Sequence, residues 1–232
     1  MTSSFLRGGG IASYPRLLSL AIFIIGTLMV AVPANAGDDS AAESFVDKIA
    51  QEAILILSNK DYTKKDREAS FRLLFVNNSD IPRIANFTLG QYARTPTPQQ
   101  KAEYQKLLED FIVKIYVTRL SEYNDQTFTI LGSRNKGDKG TEVLVQSRVE
   151  FANGREPVNI EWWLLKESGT YRIFDLKVVG IWLAQEQRAS FSSVIRNNNN
   201  DFNALLDHLR AQIEQATSNA KSQNAASSSS VN

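Results

Sequence analysis

The chain has 232 residues, 26 of them basic and 25 acidic, with one histidine and no cysteine. That balance leaves no basic footprint for nucleic acid, and the missing cysteines exclude disulfide bracing and thiolate chemistry. Roughly 180 residues lie between the two unusual ends, enough for one domain with a sizeable core.

Arg7 and Arg16 precede an uncharged apolar run, Leu17 to Val32, followed by Pro33-Ala34-Asn35-Ala36-Gly37. A basic start, a short apolar core and an Ala-x-Ala site predict a signal peptide over residues 1–36, cleaved after Ala36. The run is shorter than the ~20 residues a spanning helix needs. No cysteine follows it, so no lipid anchor is expected. Residues 37–216 are read as a single α+β domain. Residues 217–232 are mostly Ser, Asn and Ala and are expected to be a disordered tail.

Ala41 to Ser58 places Phe45, Val46, Ile49, Ala53, Ile54 and Leu57 near helical spacing. Thr63 and Asp66 form a candidate capping box for a helix to about Phe75. A short helix over Ile81 to Thr88 ends at Gly90. Thr97-Pro98-Gln99-Gln100 is a strong helix start, with Thr97 as cap and Pro98 at the first helical position. The stripe Tyr104, Leu107, Leu108, Phe111, Ile115 carries that helix to about Tyr123.

After Asn124 the period changes to two. Phe128 and Ile130 mark a short strand. Glu142 to Phe151 puts Val143, Val145, Val149 and Phe151 on one face and Gln146, Arg148 and Glu150 on the other. Asn153-Gly154 predicts a hairpin to the strand Val158 to Lys166. A turn at Glu167 to Thr170 leads to the strand Tyr171 to Val179, with Phe174, Leu176 and Val178 together by alternation. Helices follow over Leu183 to Arg196 and Asp201 to Ala216. The order of helices, antiparallel meander and C-terminal helices predicts an α+β fold.

No catalytic constellation emerges. His208 follows Asp207 directly, and neighbours in a helix do not face each other. There is no Gly-x-Ser-x-Gly elbow and no metal-ligand spacing, so no cofactor or metal is expected. Asp175 is the one strand acid among apolar neighbours. The aromatic side chains remain, as ordinary core or as the lining of a hollow that accepts a greasy ligand.

Three stretches run in order along the chain: Asp80-Ile-Pro-Arg83 through Leu89-Gly90-Gln-Tyr92 to Glu103-Tyr104-x-x-Leu107-Leu108-x-x-Phe111; Tyr171-Arg-Ile-Phe174-Asp175-Leu-Lys-Val178-Val-Gly180; and Arg188-x-x-Phe191 followed by Leu205-Leu206-x-x-Leu209. Together they resemble the MlaC, or toluene-tolerance, family of periplasmic lipid-binding proteins over roughly Phe45 to Gln212. The chain departs from the family pattern at Glu186-Gln187, where Asn-Tyr is usual, and at Asn197 to Asn200, where a Gly-rich turn is usual. The resemblance implies N-terminal helices packed on a twisted antiparallel meander with C-terminal helices and an apolar cavity between the layers, a periplasmic phospholipid carrier, and no catalysis. Its implied partners are a phospholipid with two or more acyl chains, an inner-membrane MCE-type ABC transporter complex and an outer-membrane lipoprotein complex. Nucleic acid is not among them, and a monomer is expected. A hopanoid-type lipid is an alternative cargo.

Under that resemblance Val145, Val149, Ile160, Trp162, Leu164, Phe174, Leu176 and Val178 would line the lipid chamber, with Tyr104 and Phe111 from the helical layer. Trp163 and Leu165 would face the other side, under terminal helices. Two other readings stand beside this one. The first is an interaction module with a solid core; the second is a cone-shaped α+β enzyme using Asp175.

Overall fold

The computed structural model describes residues 39–120 and 126–229. The segment read as a signal peptide and the expected helix end at Tyr123 lie outside them. The N-terminal half is helical and each α-helix begins on a side-chain cap, those of α2 and α4 at the residues expected. Helix α1 (Ser40–Ser58) starts where the Asp39 carboxylate accepts from the Ala42 N–H at 3.1 Å. Helix α2 (Lys64–Asn78) has the reciprocal Thr63–Asp66 box. Helix α3 (Ile81–Leu89) is capped by Asp80 and passes into a 3-10 turn, Gly90–Arg94. Gly90 has φ +56°, a backbone conformation that other residues adopt only with strain, so glycine suits this junction. Helix α4 (Pro98–Leu120) starts with Thr97 and Gln100 exchanging bonds of 3.0 and 3.2 Å.

The strands are β1 (Gln126–Asn135), β2 (Glu142–Phe151), β3 (Val158–Glu167), β4 (Thr170–Val178) and β5 (Ile181–Trp182), followed by α5 (Leu183–Asn197) and α6 (Phe202–Ser229). They form one antiparallel sheet in chain order, with β3 central. β1 is longer than the short strand expected, because a bulge between Ile130 and Gly132 bends it and lets pairing continue to Asn135. β5 was not foreseen: two residues give no measurable alternation. Helix α6 runs past Ala216 to Ser229, through the segment expected to be a disordered tail. Ala220, Lys221, Gln223, Ala225 and Ala226 are good helix formers, so a composition too polar for a core still extends an existing helix.

Helices cover the sheet on both sides and the core divides accordingly. One cluster joins α1 and α2 to Val143, Val145, Trp162, Leu164, Tyr171 and Ile173. The other joins α3, α4, α5 and α6 to Leu165 and Phe174, with Trp163 against it. The adjacent tryptophans of β3 therefore serve different cores, as strand alternation requires.

Candidate functional site

The first of these sheet faces is apolar along most of its length. β2 pairs Val143 with Leu164 and Val145 with Trp162. β4 sets Leu176 opposite Trp162 and Val178 opposite Ile160. β1 adds Phe128 opposite Val149. Directly paired residues share a face, so these side chains form one surface. The reverse face changes character halfway, from Leu144, Trp163 and Leu165 to Gln146, Arg148, Asn159 and Glu161.

Cover over the apolar face is uneven. At one end α1 lays Ala42, Val46, Ile49 and Ala50 on it, and Val143, Val145 and Leu164 are 0% exposed. At the other end Phe128, Val149, Val158, Ile160, Leu176 and Val178 are half-buried. Between them Ser147 is fully buried and accepts from Trp162 Nε1 at 2.8 Å, which fixes the indole across the sheet.

The covering helices are tied down at specific points. The Asp39 carboxylate accepts from the Tyr171 hydroxyl at 2.6 Å and from Lys166 Nζ at 3.0 Å, while its backbone N–H donates to Ser133 Oγ at 2.8 Å. Burial pushes the Asp39 carboxyl up, but the Tyr171, Lys166 and Ala42 donors outweigh it and hold it below the usual range. Helix α2 is fastened to α4 by Arg72 on Glu109 and Asp110, and by Lys114 on Glu68. Arg83 pairs with Asp80 at 3.0 Å and Glu167 at 2.5 Å.

Seven of the ten expected chamber residues meet on this face: Val145, Val149, Ile160, Trp162, Leu164, Leu176 and Val178. Phe174 does not. β4 sets Asp175 opposite Trp163 but Ile173 opposite Leu164, so Phe174 is an extra residue in a bulge. The bulge reverses the alternation; Phe174 joins Trp163 on the reverse face, their rings 4.7 Å apart. Tyr104 and Phe111 are also elsewhere, since the α4 stripe packs on α5 and α6. Tyr104 is edge-on to Phe191 and Phe202, and its hydroxyl meets Thr88 at 2.7 Å. Burial pushes that phenol far above its usual pKa. The reading of the sequence missed Tyr171 and Ile173, which the bulge returns to the apolar face. It also missed the role of α1, whose stripe was evident but whose partner was not.

Asp175 is 3% exposed and accepts from the backbone N–H of Leu176 and of Ala184, each at 2.8 Å. It thus caps α5 from a neighbouring strand, where the N-cap residue Trp182 supplies no side-chain bond. Burial raises its pKa against those donors. Among the described residues no acidic or histidine cluster could hold a metal, and no helix is long and apolar enough to cross a membrane.

A five-stranded antiparallel meander with helices on both sides and one long apolar face defines an α+β architecture built around that face. The family model described as MlaC protein matches residues 47–211, most of the chain, and the chain belongs to that family. Toluene tolerance protein ttg2D of Pseudomonas putida is 26% identical over 126 residues, covering 54% of this chain and 57% of that protein. The match thus spans less than two thirds of that relative. The intermembrane phospholipid transport system binding protein MlaC of Haemophilus influenzae is 19% identical over 170 residues, 70% of this chain and 75% of the other. A phospholipid-binding protein from Ralstonia solanacearum, solved in complex with a phospholipid, superposes with a TM-score of 0.68 at 21% identity, covering 76% of this chain and 98% of that one. At that identity the likeness is one of fold.

Proposed function

We propose that this chain is a periplasmic carrier that takes up the acyl chains of a phospholipid against its apolar sheet face. It would move them between outer and inner membrane as the soluble component of an MCE-type ABC transport system. The observation that carries the reading is the half-covered face: α1 seals one end, while Ile160, Val149, Leu176 and Val178 are left half-buried at the other. An apolar surface that the chain's own helices only partly cover suits a ligand with an apolar body. The family, the name of the Haemophilus relative and the phospholipid in the Ralstonia structure support the same reading.

The physics explains why such a carrier works only with docked partners. At ~0.8 kcal/mol per methylene, wetting about thirty methylenes costs on the order of 24 kcal/mol, so escape through water is very slow. Transfer from a bilayer to an apolar chamber exchanges one greasy environment for another and is nearly balanced. Direction then comes from relative affinity or from ATP use by a partner. The expected partners are the inner-membrane transporter complex and an outer-membrane lipoprotein complex, reached after export by the signal peptide over residues 1–36. No catalytic step belongs to this role, and Asp175 has the structural task of capping α5.

Native mass spectrometry of protein purified without detergent, with lipid extraction of the same sample, tests the proposal. Adducts of two- or four-chain lipids are expected. Ile160→Asp, at a half-buried position, should fold and lose most of that occupancy. A folded variant that keeps its lipid would remove this face from the site. A clean apo mass, with no uptake from labelled vesicles, would favour an interaction module with a solid core.

A further inference from the structure

The reverse face of the sheet carries a second surface that the carrier role does not use. A groove of about 490 Å³ lies there, lined by Phe87, Trp163, Gln185, Arg188, Ala189 and Ser192. Its polar lining consists of groups that can donate. The Arg188 guanidinium lies 5.0 Å from the Phe87 ring centroid. Among the described residues it makes no hydrogen bond or ion pair, and the side chains of Gln185 and Ser192 make no hydrogen bond either. Trp163 Nε1 is shut off from solvent and has no acceptor. No carboxylate lines the groove.

Cations gather around the same aromatic row. Lys136 Nζ lies 3.5 Å over the Trp163 ring, although it is already paired with Glu142 at 2.9 Å. Trp182, 5.7 Å from Trp163, has Lys177 Nζ at 5.7 Å. The buried Trp163 N–H is out of reach of the groove, which only its ring lines; the Arg188 guanidinium, resting on an aromatic face, keeps its edge free for an oxyanion. Arg188, a cation with no carboxylate in the lining, selects an anion, with Gln185 and Ser192 able to donate beside it; Phe87, Ala189 and the Trp163 ring select an apolar attachment next to it. The volume exceeds what a bare phosphate fills.

We propose that this groove holds a phosphate carried on an apolar body, the head region of an anionic phospholipid, with Arg188 as its main contact. The inference rests on the carrier reading only in taking a lipid as the source of that phosphate. Arg188 is exposed, so its replacement threatens the fold little.

The chain has three tryptophans, so a ¹⁵N spectrum of the full chain shows three indole N–H signals to assign, with Trp163→Phe identifying one. Monomeric dihexanoyl phosphatidic acid should shift the Trp163 signal saturably, with half-saturation at least tenfold below that for inorganic phosphate. Arg188→Gln should raise the lipid half-saturation at least tenfold. An unmoved Trp163 signal, or an equal response in Arg188→Gln, would overturn the site. Equal affinity for inorganic phosphate would overturn the amphiphile in favour of a free oxyanion. Trp162, on the opposite face, separates the two proposals. Movement of Trp162 alone would leave the acyl chamber standing and eliminate the groove; movement of Trp163 alone would do the reverse.

Discussion

Asp39 and Asp175 are both held by backbone N–H groups, yet their acidities move in opposite directions. Asp39 has Lys166 and the Tyr171 hydroxyl beside it and is held low; Asp175 has only amides against the cost of burial and is held high. The consequences for stability also oppose each other. As pH falls, the unfolded chain protonates Asp39 first, near 3.9. The stability from Asp39 is complete above that value and is lost as pH drops through its lower folded value. For Asp175 the folded chain takes the proton first, so acidification relieves a strain instead of adding one. Asp39→Asn should therefore be less stable than the parent near neutrality and show a flatter loss between roughly pH 4 and 2. Urea midpoints across that range measure it. Caps such as Thr63, Thr97 and Pro98 were legible in the sequence because donor and acceptor lie within one turn. Asp175 was not, because its acceptor role is fixed nine residues away, across a turn at Val179 and Gly180, both with positive φ.

Elements were legible where a period repeats often enough to measure. The starts of α2 and α4, and the span of β2, match their expected positions. What no period encodes is a single inserted residue. The bulge at Phe174 moved that ring to the reverse face and returned Tyr171 and Ile173 to the apolar one. Likewise, the α4 stripe announced a buried face but not which neighbour it meets, and α6 proved to be that neighbour. Asp175, by ordinary alternation from Leu176, lies on the reverse face, where it reaches the start of α5. Asp175→Ala should cost about 1–2 kcal/mol, the typical loss of a helix cap. Asp175→Asn keeps an acceptor for both N–H groups without the buried charge and should stay near the parent. Denaturant midpoints with an unchanged slope would show it; loss in both variants alike would rule out the capping role.

For the whole molecule, the two-sided sheet separates tasks. One face is packed under α1 at one end and left half-covered at the other; the reverse face is packed under α3 and α5 and then turns polar. A ligand on the half-covered face would contribute to folding stability. At about a hundred times its dissociation constant it adds about 2.7 kcal/mol, so stripping lipid should lower Tm on the order of 5–10 °C. Calorimetry before and after delipidation, then after adding lipid back, checks this. An unchanged Tm would mean that the face is already satisfied by protein. The bulge in β1 has a consequence of a different kind. β1 is the outermost strand, ten residues long, and a straight strand of that length is a template on which another copy can stack. The kink at Gly132 and the charge of Arg134 spoil that template. At the opposite margin the chain at Ser79 and Asp80 bonds to Ile173 and occupies the outside of β4. Both margins thus offer a second copy little continuous backbone to pair with, which disfavours fibril growth from this partly covered sheet.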